Sequence, residues 1–245
     1  MRARLDLRSE RGFTLIELLI AMATGLVVSS AALAIVVVAL HFSSSNQDRI
    51  DANRQGRIAM QRIVQALDSS CVAAQTPPIV AGSTPTSISF YTSGGNVSLG
   101  DGSSLNPNLV TVSWAGTAGS PLIMQTATWK TGTGPSSWTF NTPTSFTLMA
   151  HANYFGASST NPMFSYYGYT SGSGGTMSTT AYTATGTGGL SAANAATTAM
   201  VQIQFEALPS NGNATNNRGA NFQNSIVLRL SPASGAASAT NSPCT

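Results

Sequence analysis

The sequence predicts an α+β protein in which a long N-terminal α-helix packs on a C-terminal antiparallel β-sheet. No charged residue occurs between Glu17 and Asp48, a stretch of 30 residues that is mostly apolar. The residues that follow contain no proline before Pro77 and place apolar side chains at helical spacing. Beyond Pro78 the chain changes to short alternating runs bounded by glycine, proline and asparagine, a pattern typical of strands and turns.

The apolar run is long enough to cross a membrane. About 20 apolar residues suffice for a transmembrane helix, and we assign residues 13–42 to this span. Residues 1–12, MRARLDLRSERG, form a short polar leader with four arginines. Arginines on this side predict a single-pass membrane protein whose N-terminus stays in the cytoplasm and whose remainder is exported.

Residues 43–75 are predicted to continue the helix as an amphipathic segment. Apolar residues recur there at helical spacing and form one stripe, which consists of Met60, Ile63, Val64, Leu67 and Cys71. One helix therefore extends from about Thr14 to about Ser69. Its stripe should pack under a soluble domain.

Residues 76–245 are predicted to form a β-rich head domain with many serine, threonine, glycine and asparagine residues. The stretch 170–198 is low in complexity and is predicted to form a long surface loop or an irregular edge. The expected strands are 87–92, 109–114, 122–129, 145–151, 163–169, 200–208 and 225–230.

Charge is scarce in the head, and this argues against several classes of function. Fourteen of the 19 charged residues lie in the first 68 positions, so the head has no basic patch with which to bind nucleic acid. Its two carboxylates, Asp101 and Glu206, are weak support for a glycosidase pair or a metal site, and its one histidine is His151. We therefore expect no enzymatic activity, no cofactor and no metal. The aromatic run MFSYYGY (163–169) is better explained by strand packing than by a ligand surface.

The two cysteines, Cys71 and Cys244, do not form a CxxC or zinc motif. In an oxidising compartment they could pair, and the chain-entropy estimate for so long a loop is roughly 5 kcal/mol at most. The alternative is two unrelated buried thiols.

The stretch Gly12–Met22, GFTLIELLIAM, closely resembles the processing motif of type IV prepilins and type II secretion pseudopilins. The resemblance implies a pilin-like fold and cleavage by a prepilin peptidase between Gly12 and Phe13, followed by N-methylation of Phe13. It also implies that Glu17 neutralises the Phe13 amine of a neighbouring subunit as helices pack into a filament. The implied partners are the peptidase, other pilin or pseudopilin subunits and the inner-membrane assembly platform.

The physical chemistry of these positions agrees with the resemblance. A glycine before the scissile bond lets the backbone enter a peptidase site in an extended form. Glu17 within an apolar membrane segment would cost a few kcal/mol without a partner, and cleavage creates one, because it produces a positive amine at Phe13. This charge pair would fix the axial register of neighbouring helices.

Three interpretations of the mature protein remain open. The first is a minor pseudopilin or minor pilin, since the run RIDANRQGRIAMQRIVQAL (49–67) is similar to the extension of J-type pseudopilins and W-type minor pilins. The second is the major pilin of a filament shaft. The third is a membrane-anchored extracytoplasmic binding protein that uses the helix only as an anchor. Because Glu17 is present, a plug-type tip subunit that lacks this carboxylate is disfavoured.

Overall fold

The structure is a computed structural model that describes residues 13–70, 77, 79–92, 107–132, 137–169, 176–184, 188–209 and 219–228. The chain divides into two compact units, Met1–Gln47 and Asp48–Thr245. Helix α1 (Leu15–Asp68) begins in the first unit and ends in the second. The predicted α+β architecture, a long N-terminal helix followed by an antiparallel sheet, is confirmed. Helix α1 begins and ends within one residue of the limits expected from the sequence.

The second unit is built around a sheet in which every pairing is antiparallel. Within the described residues its strands are β1 (Ser87–Thr92), β2 (Asn108–Trp114), β3 (Ser120–Ala127), β6 (Thr144–Asn153), β7 (Phe164–Tyr167), β8 (Met200–Ala207) and β9 (Ala220–Val227). Their order is β1-β2-β3-β6-β8-β7, and β9 pairs with β8. Strand β8 is bordered by β9 along one side and by β6 and β7, at opposite ends, along the other.

Smaller elements complete the described part of this unit. Strands β4 (Trp129–Thr131) and β5 (Thr139–Phe140) form a separate hairpin. A 3-10 helix covers Phe155–Ala157, and helix α2 covers Ala192–Thr197. Helix α2 lies inside the segment 170–198, which was predicted to be a surface loop or an irregular edge, so that prediction is wrong for these six residues. The side chain of Ser191 caps the helix by accepting a hydrogen bond from the Asn194 N–H at 3.2 Å.

The two faces of the sheet differ in polarity. On the face that packs on α1, buried apolar residues alternate along the strands, as Ile88 and Phe90 do on β1 and Val110 and Val112 on β2. The opposite face carries a row of aligned neutral polar side chains across four strands, which are Ser89, Thr111, Gln125 and Ser145. Two hydrogen bonds join this row, Ser89–Thr111 at 2.9 Å and Gln125–Ser145 at 3.2 Å.

The second half of α1 supplies one wall of the hydrophobic core. Its buried residues recur every three or four positions and consist of Ala52, Gly56, Ala59, Met60, Ile63 and Leu67. The predicted stripe is thus buried at three of its positions and half-buried at Val64, and small residues extend it toward the N-terminus. Cys71 lies outside the described residues. A β-bridge between Ser70 and Thr92 joins the end of this segment to β1.

A glycine sets the distance between α1 and the sheet at one point. A Cβ atom at Gly56 would lie 2.6 Å from Cδ2 and 2.7 Å from Cζ of Phe222 on β9. The Phe222 ring stacks in turn on Phe205, at 5.6 Å between ring centroids. Glycine therefore lets an aromatic ring of the sheet contact the helix backbone directly.

Candidate functional site

The first turn of α1 is capped by Thr14, the residue before the helix begins. Its side-chain Oγ1 accepts a hydrogen bond from the Glu17 N–H at 3.3 Å, and its main-chain oxygen accepts from the N–H groups of Glu17 and Leu18 at 3.0 and 3.2 Å. A threonine at this position satisfies one of the N–H groups that a helix start leaves without an intrahelical partner. The cap therefore starts the helix at Leu15, and Phe13, the residue before the cap, is exposed.

Glu17 occupies the third position of the helix, in its first turn. The pattern Thr-x-x-Glu is that of a capping box, in which a carboxylate at this position can reach back to the N–H of the cap residue. Negative charge is also favourable there because the helix dipole is positive at its N-terminus. Thr14 and Glu17 thus lie within one turn at the start of the helix, and Phe13 is the residue directly before the cap.

The residues after Glu17 form a helix surface that is apolar throughout. Helix α1 contains an uncharged stretch with mean hydropathy 2.4, long enough to cross a membrane, and none of this stretch is buried within the chain. Its large apolar side chains, from Leu18 to Phe42, are all exposed. Polar side chains within it bond to the backbone of their own helix, as Thr24 Oγ1 does to the Ile20 oxygen at 2.9 Å and Ser30 Oγ to the Val27 oxygen at 2.8 Å. This surface needs lipid or other helices to cover it.

Comparison with protein families matches this region of the chain. Residues 7–40 match the model described as the prokaryotic N-terminal methylation motif. The chain carries the prepilin-type N-terminal motif. The match includes Gly12, Phe13 and Glu17, and it supports a place in the type IV pilin-like superfamily. Such a motif implies processing by a prepilin peptidase and assembly with other pilin subunits, and with the apolar helix it fits a single-pass inner-membrane protein.

The motif match does not extend into the sheet unit, and no curated protein and no solved structure matches the chain. The relation to pilins beyond residue 40 therefore rests on architecture, a long helix followed by an antiparallel sheet.

Three of the predicted site residues, Gly12, Cys71 and Cys244, lie outside the described residues, so the cleavage site and the disulfide stay predictions. No role was assigned from the sequence to Thr14, which the structure shows to be the helix cap. The Thr-x-x-Glu spacing before an apolar run was the signal that identifies it.

The titratable residues considered for catalysis make structural contacts in the sheet unit. The Nδ1 atom of His151 lies 2.9 Å from the Gly119 oxygen. Glu206 is buried, and its Oε2 accepts a hydrogen bond from Asn153 at 3.0 Å. Asp101 lies outside the described residues. Within the described part of the chain, no group of three or more histidine, cysteine, aspartate or glutamate side chains could hold a metal ion.

The tyrosines of the aromatic run serve mainly in packing. Tyr166 is fully buried and donates a hydrogen bond to the Thr84 oxygen at 2.9 Å, and burial raises the pKa of its phenol well above the usual value. Tyr167 donates to Oε1 of Gln202 at 2.8 Å. These contacts agree with the strand-packing interpretation of the run.

Proposed function

We propose that this protein is a minor subunit, a minor pseudopilin or minor pilin, of a type IV pilus or type II secretion filament. A prepilin peptidase cuts it between Gly12 and Phe13 and methylates the new amine at Phe13. The head stays outside the cytoplasmic membrane, and the mature chain enters the filament through the first half of α1. The single observation that carries this proposal is the prepilin-type motif at the start of a fully exposed apolar helix.

The position of Glu17 supports a role in assembly rather than in anchoring alone. A plain membrane anchor gains nothing from a carboxylate next to a long apolar span, since the charge is costly there. In a filament, the same carboxylate forms a charge pair with the Phe13 amine of a neighbour and holds the two helices in register. Before assembly, its place in the first helical turn stabilises the start of its own helix.

The minor-subunit assignment rests on sequence similarity in the second half of α1, over residues 49–67, to J-type pseudopilins and W-type minor pilins. The alternative is the major pilin of the shaft. Quantitative mass spectrometry of sheared filaments separates the two, because a minor subunit is present at a small fraction of the most abundant pilin, whereas a major pilin is itself the most abundant one.

The processing step is tested directly on the mature N-terminus. We expect intact-protein mass spectrometry to find a chain that begins with N-methylated Phe13. Gly12→Leu should leave the full-length precursor in the membrane. The control is Gly25→Leu, a bulky substitution at a glycine of α1 with nothing within 4 Å of its Cβ position, which should be processed normally. A mature wild-type protein that still begins at Met1 would contradict the proposal.

A further inference from the structure

The sheet of the second unit has two edges that other segments cover. Along the β1 edge, the Val80 N–H donates to the Ser89 oxygen at 2.8 Å, and along the β7 edge the Tyr182 N–H donates to the Tyr166 oxygen at 2.7 Å. Strand β9 differs, because within the described residues it pairs with β8 alone. It is therefore the edge at which the described sheet ends.

The direction of the β9 backbone groups follows from the bonds of β8. The N–H groups of Gln204 and Leu208 donate away from β9, to the oxygens of Met163 and His151 at 2.9 and 3.0 Å. The backbone N–H and C=O groups of the even-numbered residues of β8 thus point away from β9. In the antiparallel register, the backbone groups of their partners on β9 point outward, away from β8. The residues with outward backbone groups are Asn221, Gln223, Ser225 and Val227.

The outward N–H of Ser225 has a hydrogen-bond partner within its own strand. It is accepted at 2.8 Å by Oδ1 of Asn224, the side chain of the preceding residue. A short local contact of this kind takes the place of a strand partner, and a neighbouring strand could displace it.

Strand β9 lacks the features that normally block such an edge. Natural edge strands carry lysine, proline or a bulge that prevents another strand from pairing with them. Residues 220–227, ANFQNSIV, contain no charged residue and no proline. Their register with β8 is unbroken over eight pairs, and all four outward-facing residues are exposed. Within the described residues the edge is therefore neutral, free of bulges and without a further strand.

We propose that β9 is a strand-addition edge that pairs antiparallel with β9 of a second copy of this chain. A neutral strand brings no like charges against itself, and a twofold axis at Asn224 uses all four outward-facing residues. Gln223 then lies opposite Ser225 of the second copy, and Asn221 opposite its Val227. Most soluble homo-oligomers use such a twofold interface.

The symmetry determines which copies can meet. A twofold axis that joins two antiparallel edge strands stands perpendicular to the sheet, so it reverses the direction of the α1 segment 48–68 that packs on that sheet. The paired chains therefore approach from opposite directions, as subunits of two facing membranes or two antiparallel fibres do. This interface does not depend on the proposed filament, and its failure leaves that proposal unchanged.

A single cysteine tests the predicted register. At the twofold axis the two copies of residue 224 form a non-hydrogen-bonded pair with Cα atoms about 4.5 Å apart, within the range of a disulfide. Asn224→Cys, in the full-length chain with Cys71→Ser and Cys244→Ser and in detergent micelles, should give a covalent dimer on mild oxidation. The control is Gln125→Cys on β3, a strand with neighbours on both sides, for which we expect about tenfold less dimer. Equal yields for the two variants would overturn the proposal.

Paired charges provide a test that does not depend on the cysteine background. Gln223→Lys with Ser225→Lys places like charges opposite each other twice and should weaken association at least about threefold by sedimentation velocity. Gln223→Lys with Ser225→Glu places opposite charges at the same points and should restore association to the wild-type level or above. A chain that is monomeric at every concentration, or equal association of the two charge variants, contradicts the pairing.

Discussion

Gly56→Leu is the substitution that tests the contact between α1 and the sheet. Any side chain at this position meets the ring of Phe222, since a Cβ atom would lie 2.6 Å from Cδ2 and 2.7 Å from Cζ. The ring is half-buried and cannot retreat toward the core, because it stacks there on Phe205, which is fully buried. Helix and strand would have to separate, and the core beneath them would lose close packing.

The expected magnitude is the difference between two opposing terms. Overpacking of a filled core costs about 1–3 kcal/mol, and the stacking of the ring on Phe205 places this site at the upper end. Replacing a mid-helix glycine by a good helix former stabilises the folded protein by about 1 kcal/mol. The net destabilisation is then about 2 kcal/mol, which for a unit of this size lowers the melting temperature by about 4–8 °C.

The assay is thermal unfolding followed by tryptophan fluorescence, because the three tryptophans of the chain, at positions 114, 129 and 138, all lie in the sheet unit. Gly25→Leu is the matched control, since nothing lies within 4 Å of its Cβ position. A double-mutant cycle with Phe222→Ala should show a coupling energy of at least about 1 kcal/mol, because removal of the ring makes room for the leucine. Equal melting temperatures for Gly56→Leu and Gly25→Leu would refute this reasoning. So would a double mutant whose loss of unfolding free energy equals the sum of the losses of the two single mutants.

Three further predictions concern the remaining features. Glu17→Leu should be processed almost normally but recovered much less in sheared filaments, since the charge pair with Phe13 is lost; normal recovery would exclude this role. If Cys71 and Cys244 are bonded, a non-reducing peptide map links their peptides and reduction lowers the melting temperature by several degrees; free thiols at both positions would exclude the bond. Tyr166→Phe should cost about 1 kcal/mol in urea unfolding, because the Thr84 oxygen loses the shorter of its two hydrogen bonds and keeps only the one from the Ser87 N–H at 3.4 Å. Because burial raises the pKa of Tyr166, the contribution of its phenol to stability is present below about pH 10 and falls above it. Between pH 8 and 11, Tyr166→Phe should therefore lose less unfolding free energy than the wild type. Equal losses for the two proteins over this range would contradict this prediction.

The helix was predictable because its signal is long and regular. The absence of charge between Glu17 and Asp48 and the helical spacing of Met60, Ile63 and Leu67 determine both halves of α1. The earlier part of the buried stripe was not identified, because Ala52, Gly56 and Ala59 are too small to stand out by hydrophobicity. They are buried because close approach of helix and sheet requires small side chains there.

The last strand shows where local pattern and tertiary pairing disagree. The apolar run SIVLRL favoured a strand at 225–230, but β9 begins at Ala220 and ends at Val227. Its polar first half is a strand because β8 offers a partner for every residue, beginning with Ala207 opposite Ala220. The motif at the N-terminus needed no such partner, since Thr14 and Glu17 act within a single turn.

The contact between Gly56 and Phe222 also has a consequence for the order of events during synthesis. These residues are 166 positions apart in the chain, so at 5–20 residues per second the ribosome completes Phe222 roughly 10–30 s after Gly56. During this interval the apolar span of α1 is already available to the membrane, while the stripe that begins at Ala52 has no completed sheet to cover it. In a nascent chain the buried stripe of α1 therefore stays without its sheet until the last described strand is synthesised, and factors that bind apolar helices have this interval in which to act.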